Sequence, residues 1–215
     1  GVDIVYGEKD TFDPTETNFS SIATAIKASN PDATLVIAFD QTKPLLKALA
    51  SAGVDMSKLY FVDGNTSDYS SELDAGLLKG SKGTIPGVNP SDDFIKRLES
   101  TGVDLKNTTT YAAETYDGII LAALAAQKGG SADGKTIQAN MAAVSGADGG
   151  EKCDSYKACL ALLKDGKDIQ YQGQTGIGPF NKNNDPSSAN IGVYTFDGDN
   201  KPVFDHTQSG DVPTD

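Results

Sequence analysis

TLVIAFDQTKPLLKALASAGVDMSKLYFVDG, residues 34–64, contains the pattern of a complete βαβ unit. Its first six residues form a continuous apolar run rich in β-branched side chains, which predicts a strand covered on both faces. Thr42 and Pro44 predict the start of a helix, whose leucines recur at helical spacing until Gly53 ends it. Residues 59–62 predict a second strand. Because a helix connects the two strands, they should be parallel and the crossover right-handed.

The ends of these two strands are the first place to look for a binding site. In an open parallel sheet, ligands bind beyond the carboxyl ends of the strands. Phe39, Asp40 and Gln41 follow the first strand, and Asp63 and Asn65 follow the second. The alternative is that they are ordinary turn and cap residues, since Asp, Asn and Gly are common in both roles.

The flanking sequence extends the same alternation of strands and helices. Residues 3–6 predict a strand, and apolar residues at helical spacing predict a helix over residues 19–29, so the chain should run β-α-β-α-β up to residue 62. Residues 83–86 predict a further strand. The segment PGVNP, residues 86–90, predicts either a hinge between lobes or a simple turn.

The second half of the chain is predominantly helical. Residues 91–101, 109–127, 135–144 and 156–163 predict four helices, of which the second is apolar on nearly every face and should be central and buried. Asp117 interrupts it, and we interpret this residue as a helix-terminus residue rather than a site carboxylate. Residues 191–196 and 202–204 predict a hairpin around a DGDN turn.

Charge and composition exclude several classes of function. The formal net charge of the 215 residues is -12, and Lys and Arg do not cluster, which argues against nucleic acid or an anionic membrane surface as a partner. The single histidine, His206, leaves no partner for a Ser-His or Cys-His mechanism. We therefore predict no enzyme activity, no metal site and no cofactor.

The two cysteines, Cys153 and Cys159, predict a disulfide and an oxidising compartment. Within one unbroken helix they would be separated by about 9 Å of axial rise, which is too far for a bridge. A disulfide therefore requires Cys153 to lie before the helix, or the helix to be irregular. The alternative is a pair of reduced, buried cysteines.

Three stretches together resemble the branched-chain amino-acid receptor group of the type I periplasmic binding proteins. They are FSSIATAIKASNPDATLVIAF with the following LLKALASAG and LYFVDG, TYAAETYDGIILAALAAQ, and CLALLKDGKDIQYQGQTGIGPFNKNNDPSSANIGVYTF. The last, with its GKDIQYQG run, is the most specific. The resemblance covers almost the whole chain, and it implies the C-terminal half of a two-lobe α/β fold whose N-terminal lobe has no counterpart here.

The resemblance implies a domain division and a fold. The expected fold is a parallel sheet flanked by helices, of the periplasmic-binding-protein type I kind. Residues 1–86 plus 187–206 would form the C-terminal ligand-binding lobe. Residues 87–186 would form a helical segment that crosses to the N-terminal lobe and packs with it, and residues 207–215 a flexible tail.

The resemblance also implies a function. The chain would be the extracytoplasmic substrate-binding component of an ABC importer, periplasmic or at the cell surface, with an ABC permease as partner and any lipid anchor outside this chain. Its ligand would be an amino acid or related amide, bound between lobes by Phe39, Asp40, Gln41, Asp63 and Asn65. The alternatives are the ligand-sensing module of a receptor with the same fold, and an α/β enzyme that uses carboxylates.

Overall fold

The chain divides into two compact units. The computed structural model describes residues 1–7, 12–105, 109–176 and 178–212. Unit 1 consists of Gly1–Ile85 and Val193–His206, and unit 2 of Pro86–Gly192 and Thr207–Asp215. The predicted division of the chain into lobes concerns a larger two-lobe fold and stays a prediction.

The described residues contain helices and strands in mixed order. The helices are α1 (Ser20–Ser29), α2 (Thr42–Ser51), α3 (Asp92–Glu99), α4 (Ala112–Gly129), α5 (Gly134–Ser145) and α6 (Tyr156–Lys164). The strands are β1 (Thr34–Val36), β2 (Leu59–Val62), β3 (Lys82–Pro86), β4 (Glu151–Cys153), β5 (Ile169–Tyr171), β6 (Ser188–Phe196) and β7 (Pro202–Asp211). Single 3-10 turns cover Met56–Lys58 and Asp63–Asn65.

The main sheet begins with the predicted parallel βαβ unit. The strand order is β1-β2-β3-β6-β7, and β1–β2 and β2–β3 are parallel pairs, with Val36 opposite Phe61. Strands β6 and β7 are neighbours in the sheet and are joined by the Asp197–Asn200 turn, as the hairpin pattern predicts. The mixed α/β class with a mostly parallel sheet flanked by helices is therefore confirmed.

One face of β1 and β2 is covered and the other is not. Val36, Leu59 and Phe61 are buried beneath α1 and α2, in the hydrophobic core of unit 1. Leu35, Ile37 and Tyr60 point the other way and are exposed at 58%, 69% and 43%. The expectation that both faces of this strand are covered is therefore wrong for the described residues, because α1 and α2 pack on the same side of the sheet.

The predictions for the two ends of the chain differ from the structure. Residues 1–7 form no strand, and Ile4 and Val5 are mostly exposed, because an apolar run becomes a strand only where a neighbour pairs with its backbone. At the other end, residues 207–211 lie in β7 rather than in a loose tail, and residues 213–215 lie outside the described part of the chain.

Unit 2 is built around α4, α5 and α6 with the small parallel sheet β4–β5. The second predicted helix is less buried than expected. Within α4 the buried residues lie on one stripe, Ala113, Asp117, Leu121, Leu124 and Ala125, whereas Ile119 is 63% exposed. Apolar composition alone did not show which face of the helix has a partner.

The disulfide is present. Cys153 ends β4 and Cys159 lies in the second turn of α6, with a Cα–Cα distance of 5.3 Å. Cys153 thus lies before the helix, which is the arrangement that the helical rise requires. The bridge joins the small sheet to α6 inside the core of unit 2.

Candidate functional site

The end of β1 leads into an exposed aromatic residue and an exposed carboxylate. Phe39 is 80% exposed, and Asp40 next to it is also exposed. Gln41 holds this turn in place, since its Oε1 accepts a hydrogen bond from the Phe39 N–H at 3.2 Å and its Nε2 donates to the Pro14 carbonyl. Gln41 is thus a structural residue of the loop as well as a candidate for ligand contact.

The end of β2 carries a second exposed carboxylate on a single 3-10 turn. Asp63 is exposed and has φ 53°, a left-handed conformation that Asp tolerates better than most residues. Asn65, at the end of the same turn, is only 2% exposed. The two candidate residues of this loop therefore lie in opposite environments.

The Asn65 side chain joins the two strand ends. Its Nδ2 donates to the Val36 carbonyl at 2.8 Å, and its Oδ1 accepts from the Val62 N–H at 2.8 Å. The Tyr69 hydroxyl donates to the Asn65 carbonyl at 2.8 Å. Burial raises the pKa of Tyr69 to about 12, so this hydroxyl stays protonated as a donor. The sequence placed Asn65 at the correct edge of the sheet but did not indicate that its side chain is used inside the fold.

We call Phe39, Asp40, Gln41, Asp63 and Asn65 together the strand-end surface. Parallel pairing of β1 with β2 places both loops at the same edge of the sheet, and Asn65 bonds to both strands. Its exposed members are one aromatic ring and two carboxylates. Carboxylates make charge-assisted hydrogen bonds with ammonium groups, and an aromatic face attracts cations, so this chemistry suits a ligand with a cationic or amide end.

Asp117, outside the strand-end surface, is a buried carboxylate that accepts four hydrogen bonds. It lies in the sixth position of α4, 4% exposed, so its interpretation as a helix-terminus residue is wrong. Its Oδ1 accepts from the Tyr171 hydroxyl and the Gln174 N–H, and its Oδ2 from the N–H and hydroxyl of Thr175, at 2.8–3.0 Å. The signal available in the sequence was a lone Asp on the apolar face of a helix. A carboxylate that is buried there requires hydrogen-bond donors around it.

The Asp117 site is filled by the chain itself. A Cβ atom at Gly173 would lie 2.2 Å from Asp117 Oδ1, so only glycine allows the loop this close. Burial, followed by the hydrogen bond to Asp117, raises the pKa of Tyr171 and keeps its hydroxyl a donor. The cavity beside these residues measures ≈ 20 Å³, about the space of one water molecule. It is too small for an amino acid.

Neither metal binding nor membrane insertion finds support in the described residues. Within them, no group of three or more His, Cys, Asp or Glu side chains is arranged to hold a metal ion. None of the helices in the same ranges is both long and apolar enough to cross a membrane. Asp40 and Asp63 are both exposed, so this pair does not form the buried acidic cleft that a carboxylate enzyme would need.

A family comparison identifies the relatives of this chain. The family model described as periplasmic binding protein matches residues 1–157. The chain belongs to the periplasmic binding protein family. The resemblance to the type I, branched-chain amino-acid receptor-like members is thereby confirmed, and the family is one of extracytoplasmic binding proteins rather than of enzymes.

The other comparisons are less informative. No curated protein matches the chain in sequence. A solved structure titled as an ABC transporter permease from the Pseudomonas fluorescens group shares 18% sequence identity with a TM-score of 0.43. That match covers 88% of this chain and 46% of the other, so the chain spans about half the length of the solved relative.

Proposed function

We propose that the chain is the substrate-binding part of an ABC importer and that it binds a small polar solute, such as an amino acid or a related amide. Membership of the periplasmic binding protein family supports a small-molecule ligand and a place outside the cytoplasm. The proposed partner is an ABC permease, to which such a receptor delivers its ligand. This partnership, and the kind of solute, are the parts that experiment must decide.

The observation that carries the proposal is the exposure of two carboxylates and an aromatic ring on adjoining strand ends. Phe39, Asp40 and Asp63 are exposed at the carboxyl edge of parallel strands, where ligands of open α/β sheets bind. In the proposed complex, Asp40 and Asp63 bind the cationic or amide end of the solute, and Phe39 packs on it. Gln41 fixes the first loop and is also a candidate for ligand contact, whereas Asn65, which is 2% exposed, acts only by fixing the two strand ends.

A thermal-shift screen of amino acids, their amides and small organic acids tests the proposal, run on the protein in its complete natural form. A true ligand at about 100 times its Kd stabilises the folded state by roughly 2.7 kcal/mol, which raises the Tm clearly. Each hit is then measured by isothermal titration calorimetry. A panel without any hit among amino acids and amides contradicts the proposed class of solute.

Point variants then test the site. Asp40→Asn and Asp63→Asn should each weaken binding of the hit by about tenfold or more, since each removes a charged hydrogen-bond acceptor. Asp32→Asn is the matched control, because Asp32 is exposed and precedes β1 at the opposite edge of the sheet. Equal affinity of all three variants and the unmodified protein would mean that the solute binds elsewhere.

A further inference from the structure

The chain contains the sequence pattern for N-linked glycosylation at three places. The pattern is Asn-X-Ser/Thr, in which X is any residue except proline. Residues 18–20 read NFS, residues 65–67 read NTS and residues 107–109 read NTT, whereas residues 89–91 read NPS and contain the excluded proline. The structure distinguishes the first two tripeptides, because residues 107 and 108 lie outside its described part.

The tripeptide at Asn65 is used inside the fold. Asn65 is 2% exposed, and its Nδ2 donates to the Val36 carbonyl at 2.8 Å. Nδ2 is the atom to which an N-linked glycan is attached, and a glycan is bulky and belongs at the surface. A sugar on this nitrogen would have to displace the atoms packed around it. Asn65 is therefore not an acceptor in the folded chain.

Asn18 is presented at the surface of unit 1, two residues before the start of α1. Both Asn18 and Ser20, the two residues that the pattern specifies, are exposed. The Asn18 Oδ1 accepts a hydrogen bond from the Ser20 N–H at 3.1 Å. In the described ranges of the chain, the Asn18 Nδ2 donates no hydrogen bond, so modification at this atom breaks no contact of the fold.

The residue between Asn18 and Ser20 anchors the tripeptide to unit 1. Phe19 is 2% exposed, lies in the hydrophobic core and meets the Phe12 ring edge-on, with 5.3 Å between the ring centroids. Glu16 Oε1 accepts a hydrogen bond from the Asn18 N–H at 2.7 Å. The acceptor amide and the hydroxyl beside it are thus displayed together on a segment that the core holds in place.

The compartment agrees with this chemistry. Periplasmic binding proteins are extracytoplasmic, and the Cys153–Cys159 disulfide is typical of proteins that fold outside the cytoplasm. The Asn-X-Ser/Thr pattern acts as a glycosylation acceptor on surface loops of exported proteins.

We propose that Asn18 is an acceptor site for an N-linked glycan. The donor is a sugar linked to a polyprenyl diphosphate, and an oligosaccharyltransferase catalyses the transfer. The Asn18 Nδ2 forms a bond to the anomeric carbon of the sugar as the bond from that carbon to the diphosphate oxygen breaks. The polyprenyl diphosphate leaves with the bonding electron pair, and one Nδ2 proton passes to a base of the enzyme. The site does not rest on the proposed solute binding.

Mass spectrometry of the protein isolated from its natural host tests the site. The tryptic peptide of residues 10–27 should carry a sugar, and fragmentation should place the added mass on Asn18. The tryptic peptide of residues 59–79, which contains Asn65, should be unmodified. An unmodified 10–27 peptide overturns the proposal, and so does a sugar on one of its serines or threonines instead of Asn18.

Three variants produced in the same host separate the pattern from the surrounding surface. Ser20→Ala keeps Asn18 but removes the hydroxyl that the pattern requires, so the glycan should be lost, and Ser20→Thr should restore it. Ser21→Ala is the matched control, because Ser21 is also exposed at the start of α1 but stands outside the pattern. A glycan retained in Ser20→Ala, or lost in Ser21→Ala, contradicts the site.

Transfer in vitro tests the contrast between Asn18 and Asn65. A purified oligosaccharyltransferase that modifies synthetic peptides of residues 14–24 and 61–71 is given the folded 215-residue chain and a lipid-linked sugar. Modification should occur at Asn18, whereas the buried Asn65 should stay unmodified although its peptide is accepted. Modification of Asn65 alone, or of both residues equally, in the folded chain would show that burial does not select the site.

Discussion

The strand-end surface of unit 1 and the Asp117 site of unit 2 contain the same chemical group in opposite environments. Asp40 and Asp63 are exposed at the ends of β1 and β2. Asp117 is 4% exposed and accepts four hydrogen bonds from its own unit. In the sequence, all three are acidic residues beside an apolar run, and the pattern alone does not distinguish them.

The difference shows why Asp117 belongs to the fold. A buried carboxylate is stable only when donors replace the water it has lost, so Asp117 binds its own loop and has no capacity left for a ligand. An exposed carboxylate keeps its water and contributes little to stability. In the proposed function, Asp40 on the strand-end surface is therefore a carboxylate that exchanges water for a solute.

The largest effect is expected from Asp117→Asn. The amide nitrogen that replaces Oδ2 cannot accept the two hydrogen bonds from Thr175, so the free energy of unfolding should fall by about 3 kcal/mol. Urea denaturation followed by circular dichroism measures it. Asp148→Asn, in an exposed turn of the same unit, is the control and should change stability by less than about 0.5 kcal/mol. If Asp117→Asn and Asp148→Asn lowered the free energy of unfolding by similar amounts, the hydrogen bonds of Asp117 would contribute no more to stability than an exposed carboxylate does.

Asn65→Ala should destabilise the protein by about 2 kcal/mol. The substitution leaves the buried Val36 carbonyl and Val62 N–H without their side-chain partner. Asp40→Asn, on the same edge of the sheet, serves as the reference for an exposed member of the surface. If the free energy of unfolding were the same for Asn65→Ala and Asp40→Asn, the Asn65 side chain would not be what holds the two strand ends together.

Tyr69 should make unit 1 sensitive to high pH. Burial raises its pKa to about 12 from an ordinary value of 10.0, so the folded state keeps the proton that the unfolded state loses. This contribution, at most about 3 kcal/mol, is fully present below pH 10 and is lost as the pH rises from 10 to 12. Denaturation at pH 9 and pH 11.5 measures the loss.

Tyr69→Phe provides the control for this pH dependence. Without the hydroxyl, the fall in stability between the two pH values should shrink, and any remainder belongs to other groups such as Tyr171, whose pKa is also raised. An unchanged fall in the Phe variant would contradict the role of Tyr69.

The smallest effect on stability is expected from Asp40→Asn. Because the carboxylate is exposed, the free energy of unfolding should change by less than about 0.5 kcal/mol. A change above about 1 kcal/mol would show that Asp40 belongs to the fold, as Asp117 does, and would remove it from the proposed ligand contacts.

The fold was largely predictable because its signals are local. The apolar run, the helix with leucines at helical spacing and the second strand of residues 34–64 appear as β1, α2 and β2 in a parallel arrangement. The rise of a helix also showed, from the sequence alone, that a disulfide requires Cys153 to lie before the helix or the helix to be irregular, and the first of these is found. The resemblance to the periplasmic binding proteins was carried by equally local motifs.

The contacts between distant segments were not predictable from the same signals. Asp117 meets Thr175 across 58 positions, and Ser209 meets Asn190 across 19. The exposure of Leu35 and Ile37 likewise depends on which side of the sheet α1 and α2 occupy. A periodic pattern shows that a face is apolar, but the partner that covers it lies elsewhere in the chain.

By itself, the sequence determined the parallel βαβ unit and the edge of the sheet where Phe39, Asp40 and Asp63 lie, and it predicted the disulfide pair. Those features follow from backbone geometry over a few neighbouring residues. Only the tertiary structure decided that Asn65 and Asp117 are buried and hydrogen-bonded within the fold while Asp40 stays exposed. The environment of a polar side chain depends on donors and acceptors that the fold brings from distant positions, and the energy of burial depends on finding them.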